Sequence, residues 1–526
     1  MSFKNNKFWI LRFGGVILSG IMLAASFPGI GQSTLIFAAL VPLLLSIQSL
    51  PNRLVVLFSW LSGMVFFGIS LSWFWQMINT VDIWLFKIAT GLAYFFIISY
   101  CAIYFIPFGL ASVWFGKRWG HKSFKKNIFI MAIMTALWIA LEYLRGILFT
   151  GFGWNLLGIS QYTNPVLIQI ASWGGVAAVS AFIVWMNMGI FLTIRQYVEH
   201  KGFFLRRPHF ELILGLIPVA LSIVFGLQII FGEYVIGKPV HVGLLQPNIP
   251  QLDRRDGNAS KNIHDRLKML SLTALKARDL DLLVWPETAL PGYAKLSFSC
   301  KKLVREVASE NVPLLVGSMD FDDIDGQRHI FNSSLLFNGN DEPITTYNKQ
   351  HLVPFGEYVP FEKLLRSITP LDIDFTAGTE QTLFKLDESP AFSVLICFED
   401  TKANLARDAV RKGARWIINQ TNDAWFDPSF QSEQHLAHSV FRCVENRVPM
   451  VRSCNTGVTA IIDSFGRVER RLAPITSGFL IGTVYPDPLA MHKTKYTEVG
   501  DLFSKTMFIS SLSFFVFAGW NFRNKK

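Results

Sequence analysis

At 526 residues the chain is too long for one ordinary domain, and 51% hydrophobic against 17% charged residues is well short of the roughly one quarter charged residues of a soluble protein. The apolar excess lies in the first 232 residues or so and in a short stretch near the C-terminus, which excludes a uniformly soluble chain. The net charge of +11 sits in short loops between apolar segments, so membrane topology explains it and nucleic acid is excluded as a partner.

Spanning about 30 Å of hydrocarbon takes about 20 helical residues. Apolar runs near 10–27, 34–50, 54–75, 84–113, 127–148, 166–194 and 211–232 predict seven spans, and a run near 506–521 predicts an eighth. The second is the weakest, being short and followed by Pro51; the fourth is long and holds Lys87, which predicts a tilted or partly interfacial helix. Lys4 and Lys7 before the first run and Ala24-Ala25-Ser26 after it imitate a signal peptide, but the succession of further spans favours an uncleaved helix. Glu142-Tyr143-Leu144-Arg145-Gly146 places charges at a span end; the simpler reading is an interfacial ion pair closing the helix, the sharper one a functional site.

Lys and Arg occupy alternate loops. Lys4 and Lys7, then Arg53, then Lys117, Arg118, Lys122, Lys125 and Lys126, then Arg195, Lys201, Arg206 and Arg207, then Arg523, Lys525 and Lys526 fall on one side. Loops near 28–33, 76–83 and 149–165 have neither residue. Positive residues stay inside, so both termini are expected in the cytoplasm and the polar segment outside it. The expected domains are a seven-span membrane domain over 1–232, an extracytoplasmic domain over 233–505, and a last span with a cytoplasmic tail over 506–526.

Residues 239–505 alternate short apolar strands with amphipathic helices. Strands are predicted at Val240–Leu245, Leu282–Trp285, Pro313–Val316, Ser334–Phe337, Phe392–Ile396, Trp416–Ile418, Met450–Ser453 and Val458–Ile462, and helices at Lys261–Arg278, Cys300–Glu310, Lys402–Lys412 and Ser432–Asn446. The pattern is that of a layered α/β domain. Five cysteines contain no CxxC pair and no zinc-site spacing. Disulfides among Cys300, Cys397, Cys443 and Cys454 stay open.

Three strand ends carry reactive side chains. In Leu283-Val284-Trp285-Pro286-Glu287, Pro286 ends the strand and presents Glu287. Tyr347-Asn348-Lys349-Gln350-His351-Leu352-Val353-Pro354-Phe355-Gly356-Glu357 places Lys349 and Glu357 in a loop rich in aromatics, Pro and Gly. In Ser393-Val394-Leu395-Ile396-Cys397-Phe398-Glu399-Asp400, an apolar run ends on Cys397 with two acids following. Taken singly, each has a bland alternative: a solvated turn glutamate, a surface lysine, a structural cysteine. Together they supply a thiol, a carboxylate to take its proton, and an ammonium to favour thiolate and face an oxyanion. His435 and His438 fall on a predicted helix and read as packing or surface residues.

This ordered set of motifs, with Asn422-Asp423-Ala424-Trp425-Phe426, resembles the nitrilase (carbon–nitrogen hydrolase) superfamily. With spans on both sides, it is similar to the apolipoprotein N-acyltransferase family over nearly the whole chain, including Leu144-Arg145-Gly146, Thr150-Gly151-Phe152-Gly153-Trp154 and Leu244-Leu245-Gln246-Pro247-Asn248-Ile249-Pro250-Gln251. The resemblance implies an αββα sandwich with an α-helical membrane bundle of about eight spans, no cofactor and no metal. It implies transfer of an acyl chain from a phospholipid, through a thioester on Cys397, to the α-amino group of a diacylglyceryl-cysteine on an apolipoprotein, at the outer face of a bacterial inner membrane. Glu287 matches the general base, Lys349 the oxyanion-side lysine, and Glu357 and Glu399 further acids. Phe398 stands where tyrosine is frequent, so no hydroxyl acts there. Pro247, Arg255, Asp427 and Gly153 also depart from the family pattern, leaving an aromatic lid contact at 255 in doubt. Trp425, Phe426, Phe355 and Arg145 are candidate substrate contacts. A membrane-tethered amidase using water as acceptor, and a transporter or receptor with a ligand-binding α/β domain, are the competing readings.

Overall fold

The computed structural model describes residues 3–80, 84–119, 123–199, 209–232, 237–253, 259–308, 312–339, 342–359, 374–387, 389–486 and 493–523. Lys122, Lys201, Arg206, Arg207, Arg255, Lys525 and Lys526, which figured in the topology and lid expectations, lie outside them. The chain divides into two compact units, one of residues Met1–Ser72, Leu92–Gly232 and Val499–Lys526, the other of Trp73–Gly91 and Glu233–Glu498.

Among the described residues, seven helical stretches are long and apolar enough to cross a membrane: Phe8–Ala25, Asn52–Ser70, Lys87–Trp119, Phe124–Thr150, Val176–Val198, Phe210–Ile230 and Leu502–Trp520. The chain is a multi-span membrane protein. The run expected as a span near 34–50 is instead a 3-10 turn, Ser33–Phe37, followed by a short helix, Val41–Ile47, with Pro42 in its first turn. Proline lacks the N–H and crowds the carbonyl four residues back, so it is favoured in the first turn of a helix, where its missing donor costs nothing. Pro107 acts the same way in the long fourth run, which consists of two helices, Trp84–Ile103 and Phe105–Trp119, meeting at Tyr104. Glu142 and Arg145 are both buried, each with its own partners. Glu142 accepts from Trp138 Nε1 (3.0 Å) and the Leu157 amide (2.8 Å), while Arg145 donates to the carbonyls of Phe152 (2.9 Å) and Trp154 (2.7 Å) and lies over the Phe67 ring. The expected helix-closing ion pair is thus replaced by bonds that fasten the loop after the helix.

The second unit is built on two sheets. One has the order β11-β1-β2-β3-β4-β5, with β1 Val240–Gln246, β2 Leu282–Val284, β3 Leu314–Ile324, β4 Gln327–Phe337, β5 Thr345–Asn348 and β11 Gly478–Val484. The other has the order β10-β9-β8-β7-β6, with β6 Phe392–Ile396, β7 Trp416–Thr421, β8 Met450–Cys454, β9 Ala460–Ile462 and β10 Val468–Arg471. Strands β1, β2 and β3 run parallel, as do β6, β7 and β8. Parallel strands covered on both faces read as near-continuous apolar runs, and period-two alternation divides those runs between two cores. Val242, Leu244, Leu282, Val284 and Leu315 meet Val394, Ile396, Ile418 and Val451 between the sheets. Leu245, Leu283, Trp285, Leu314 and Val316 face outward onto helices Ser260–Ala277 and Phe298–Ala308. These helices offer stripes at helical spacing, Ile263, Leu267, Leu270 and Ala274 in one and Cys300, Leu303, Val304 and Val307 in the other. Helix Ala403–Lys412 packs on β6 and on helix Gln431–Asn446, of which every residue except Glu433 is buried. The layers are those of an αββα sandwich. Strands β5, β10 and β11 have no counterpart among the predicted strands, because they are short, polar or glycine-containing edges stabilised by antiparallel pairing to β4, β9 and β1.

Candidate active site

Ligand sites in parallel sheets gather beyond the carboxyl ends of the strands. Glu287 follows β2, Lys349 follows β5 and Cys397 follows β6. The turn at Cys397 is left-handed (φ +53°) and leads into a 3-10 segment, Cys397–Thr401. A non-glycine residue held there stores strain, which proteins retain chiefly where function requires it. Asn419 on β7 straddles the bend, donating to the carbonyls of Leu395 and Cys397 (both 3.2 Å).

Lys349 is 1% exposed. Its Nζ donates to Glu357 Oε1 (2.9 Å) and reaches Glu287 Oε1 at 3.4 Å. Asn332 on β4 completes the cluster, its Nδ2 donating to Glu287 Oε1 (2.8 Å) and Glu357 Oε1 (2.9 Å). Glu357 Oε2 accepts the Val353 amide (2.8 Å). Burial alone would depress the Lys349 ammonium, but Glu357, Glu287 and Cys397 outweigh it and hold it above its ordinary range. Gln420 and Gly317 position Glu287. Gln420 Nε2 on β7 donates to the carbonyl of Trp285 (2.6 Å), and at Gly317 any Cβ would stand 2.2 Å from the Pro286 oxygen and 2.7 Å from Glu287 Cα.

Glu399 ties the nucleophile turn to the lysine loop. Fully buried, it accepts from the amides of Ile396 (2.8 Å), Gln350 (2.7 Å) and His351 (3.0 Å) and from the Tyr347 hydroxyl. Burial pushes its carboxyl up to about 7, against these bonds. The Cys397 thiol is raised well above its ordinary value by desolvation and then by Glu287, while Lys349 opposes the rise. The resting sulfur is therefore a protonated thiol with a carboxylate at hand to accept the proton and an ammonium to favour the thiolate.

Phe398 stacks on His351 at 6.0 Å between centroids, and Lys402 Nζ lies over the Phe398 ring, 5.5 Å from its centroid. Phe355, also at a left-handed position, is exposed. Phe426 is a packing residue, edge-on to Trp73 at 4.8 Å, and Trp73 Nε1 donates to Gln434 (3.1 Å). Trp425 is half-buried beside it. Arg145 belongs to the membrane unit, with the loop bonds given above. All five cysteines are unbridged. Of the two expectations for His435, packing or surface, the structure shows the first, with polar partners. It is buried, with Nε2 3.3 Å from the Cys397 carbonyl oxygen and 2.8 Å from Asp400 Oδ1. Asn332 carries no sequence signal, since nothing local distinguishes an asparagine on a strand.

An αββα sandwich with Glu, Lys and Cys at neighbouring strand ends defines a carbon–nitrogen hydrolase domain, and the carbon–nitrogen hydrolase family model matches residues 241–489. The model of the apolipoprotein N-acyltransferase N-terminal domain matches residues 19–189. An apolipoprotein N-acyltransferase of Geobacter metallireducens is 35% identical, covering 93% of this chain and 91% of its own length. Apolipoprotein N-acyltransferase 1 of Treponema denticola is 29% identical, with 94% of each covered, and that of Pseudomonas aeruginosa 30%, with 84% of each covered. Among solved structures, an amidase from Nesterenkonia sp. aligns over 50% of this chain and 96% of its own at 16% identity and a TM-score of 0.35. The chain belongs to the apolipoprotein N-acyltransferase family.

Proposed function

We propose that the protein takes a fatty acyl chain from a membrane phospholipid onto Cys397 and passes it to the α-amino group of the N-terminal diacylglyceryl-cysteine of apolipoproteins. Lipoprotein N-acylation is the activity of the family to which the chain belongs. The observation that carries the residue roles is the left-handed turn presenting Cys397, with Glu287 and Lys349 both acting on its thiol.

In the first step Glu287 takes the thiol proton as sulfur attacks the ester carbonyl. The C–O bond breaks, the leaving alkoxide recovers the proton from Glu287, and a lysophospholipid departs. In the second step the amine attacks the thioester, Glu287 takes a proton from nitrogen, the C–S bond breaks and the thiolate is reprotonated. Lys349 faces the oxyanion in both. Glu357 and Asn332 hold the lysine, and Glu399 holds its loop against the nucleophile turn.

The test is mass spectrometry of full-length protein given phospholipid, with and without a diacylglyceryl-cysteine peptide. A hydroxylamine-labile thioester on Cys397 without peptide, and N-acylated peptide with it, is the expected result. Label on Cys300, Cys443, Cys454 or a serine overturns the nucleophile; free fatty acid with unmodified peptide favours the amidase.

The same reading counts the short, broken stretch Ser33–Ile47 as a crossing beside the seven long helices, and so puts residues 233–505 outside the cytoplasm of a bacterial inner membrane and both termini inside. It is supported by the basic loops at Arg53, at Lys117, Arg118, Lys125 and Lys126, and at Arg195, against loops without Lys or Arg. A phosphatase fusion is predicted to be active after Asp281 and inactive after Lys122; the reverse pattern inverts the topology.

A further inference from the structure

Behind the Cys397 turn lies a buried charge network that the acyl-transfer steps above do not use. Asp400, three residues past Cys397, is fully buried and bonded through Oδ2 to Ser439 and to Arg452 of β8. Asp423, in the loop after β7 that carries Trp425 and Phe426, is also buried. His435, on helix Gln431–Asn446, stands between them. Its Nε2 is 2.8 Å from Asp400 Oδ1 and its Nδ1 3.0 Å from Asp423 Oδ1. A carboxylate oxygen on each ring nitrogen calls for a proton on both, and only the imidazolium supplies two donors. Nε2 also lies 3.3 Å from the carbonyl oxygen of Cys397 itself. One ring therefore touches the nucleophile's backbone, the 3-10 turn behind it and the loop beyond β7.

The charges of the network balance. Asp400 and Asp423 are two anions, Arg452 and His435 two cations, all within a dry interior where an unpaired charge is costly. Burial alone would discharge the imidazole, but Asp400 and Asp423 outweigh burial and raise it to about 9, and both carboxyls are held below their ordinary range. Arg452 opposes the imidazolium, and His438 on the same helix, pushed down by burial to about 3 with Arg442 nearby, stays neutral. On the other side, the Cys397 thiol feels Glu287 and Asp423 against the thiolate, and Lys349 and the Thr421 hydroxyl in its favour.

We propose that His435 is a positioning residue which, as an imidazolium, fastens the Cys397 turn to the 423–426 loop and neutralises Asp423, keeping that carboxylate's field off the thiolate formed in catalysis. The proposal rests on Cys397 as the nucleophile, but its test does not depend on acyl transfer. Iodoacetamide alkylation of Cys397, followed by peptide mass spectrometry across pH in detergent-solubilised full-length protein, reads ionisation of the thiol directly. His435→Gln leaves Asp423 uncompensated and is expected to move the alkylation midpoint up by about one pH unit, a tenfold smaller thiolate fraction at a given pH. Asp423→Asn is expected to move it down, and the double variant to return it near the wild-type value. Acyl-enzyme formation near neutral pH should fall about tenfold in His435→Gln and recover in part in the double variant. A role in packing alone predicts unmoved midpoints in the single variants and additive damage in the double; either result overturns the proposal. If His435→Gln does not fold, Asp423→Asn decides alone, and a midpoint unmoved or raised overturns it. Shifted midpoints without any acyl-enzyme would instead sink the acyltransfer reading and leave the network standing.

Discussion

Glu287 and Glu357 share the same two donors, yet their commitments differ. Glu357 holds the shorter bond to Lys349 and also the Val353 amide, whereas Glu287 meets Lys349 at 3.4 Å and makes its contacts with Asn332 and Lys349 through Oε1. In the proposed mechanism Oε2 of Glu287 is then the oxygen for the thiol proton, and Glu357 the counter-ion that keeps the lysine in place. The two substitutions should separate. Glu287→Gln is predicted to lower single-turnover acylation by roughly 10²- to 10⁴-fold, the usual loss of a general base, with a smaller fall in unfolding temperature than Glu357→Gln because its contact with Lys349 is the longer one. Glu357→Gln breaks a buried ion pair, a change that costs about 3–5 kcal/mol, so its loss of activity should come with a clear fall in unfolding temperature. Equal behaviour of the two variants would contradict the division of roles.

At the scale of elements, the site depends on how closely the ends of β2 and β3 approach. Gly317 on β3 lets the Pro286–Glu287 backbone lie against it, and its carbonyl accepts the Ala289 amide (2.8 Å). Gly317→Ala puts a methyl against backbone atoms that cannot rotate away. The expected cost is about 1–3 kcal/mol of stability. Because the displaced atoms carry the base, activity should fall more than the folded fraction does. Acylation rate per folded molecule, with folding read by gel filtration and thermal melt, checks this; a rate that tracks the folded fraction would show that Glu287 has not moved. Glu399 illustrates the same scale from the other side: a single carboxylate bonds amides from the β6 end and from the lysine loop, so neither strand end is positioned alone.

Over the whole molecule, burial of charge sets the response to pH. His435 rises from its ordinary 6.5 to about 9 on folding. A raised histidine contributes stability that is complete below 6.5 and is lost as pH rises through 9, where the folded state must also give up its proton. The unfolding temperature of the second unit in the full-length protein should therefore fall between pH 7 and pH 9.5, and His435→Gln should flatten that fall. A slope unchanged by the substitution would place the alkaline sensitivity elsewhere. The division of the chain into units adds a feature of the same scale: Trp73–Gly91, between two apolar stretches, belongs with the hydrolase unit, where Trp73 meets Phe426 and Gln434.

Much of this was legible in the sequence because the signals are local. Twenty-residue apolar runs and period-two strands each report their own surroundings, and the strand-end motifs put Glu287 and Cys397 at the ends of β2 and β6 by chain connectivity alone, while Lys349 was legible only as a loop residue. The contacts among those ends were not legible. Asn332 lies 45 residues from Glu287 and Lys349 lies 62 from it, and only the pairing of β3, β4 and β5 fixes which side chains meet. His435 reads as one more polar residue on a helix until that helix is placed behind β6 and β7. Likewise Pro42 and Pro107 mark local breaks, but hydropathy, an average over many residues, does not register where a single missing N–H divides a run. Composition and periodicity by themselves determined the membrane class, the α/β layers and the reactive residue types; sheet register and burial decided their partners, their charge states and the residue standing behind the nucleophile.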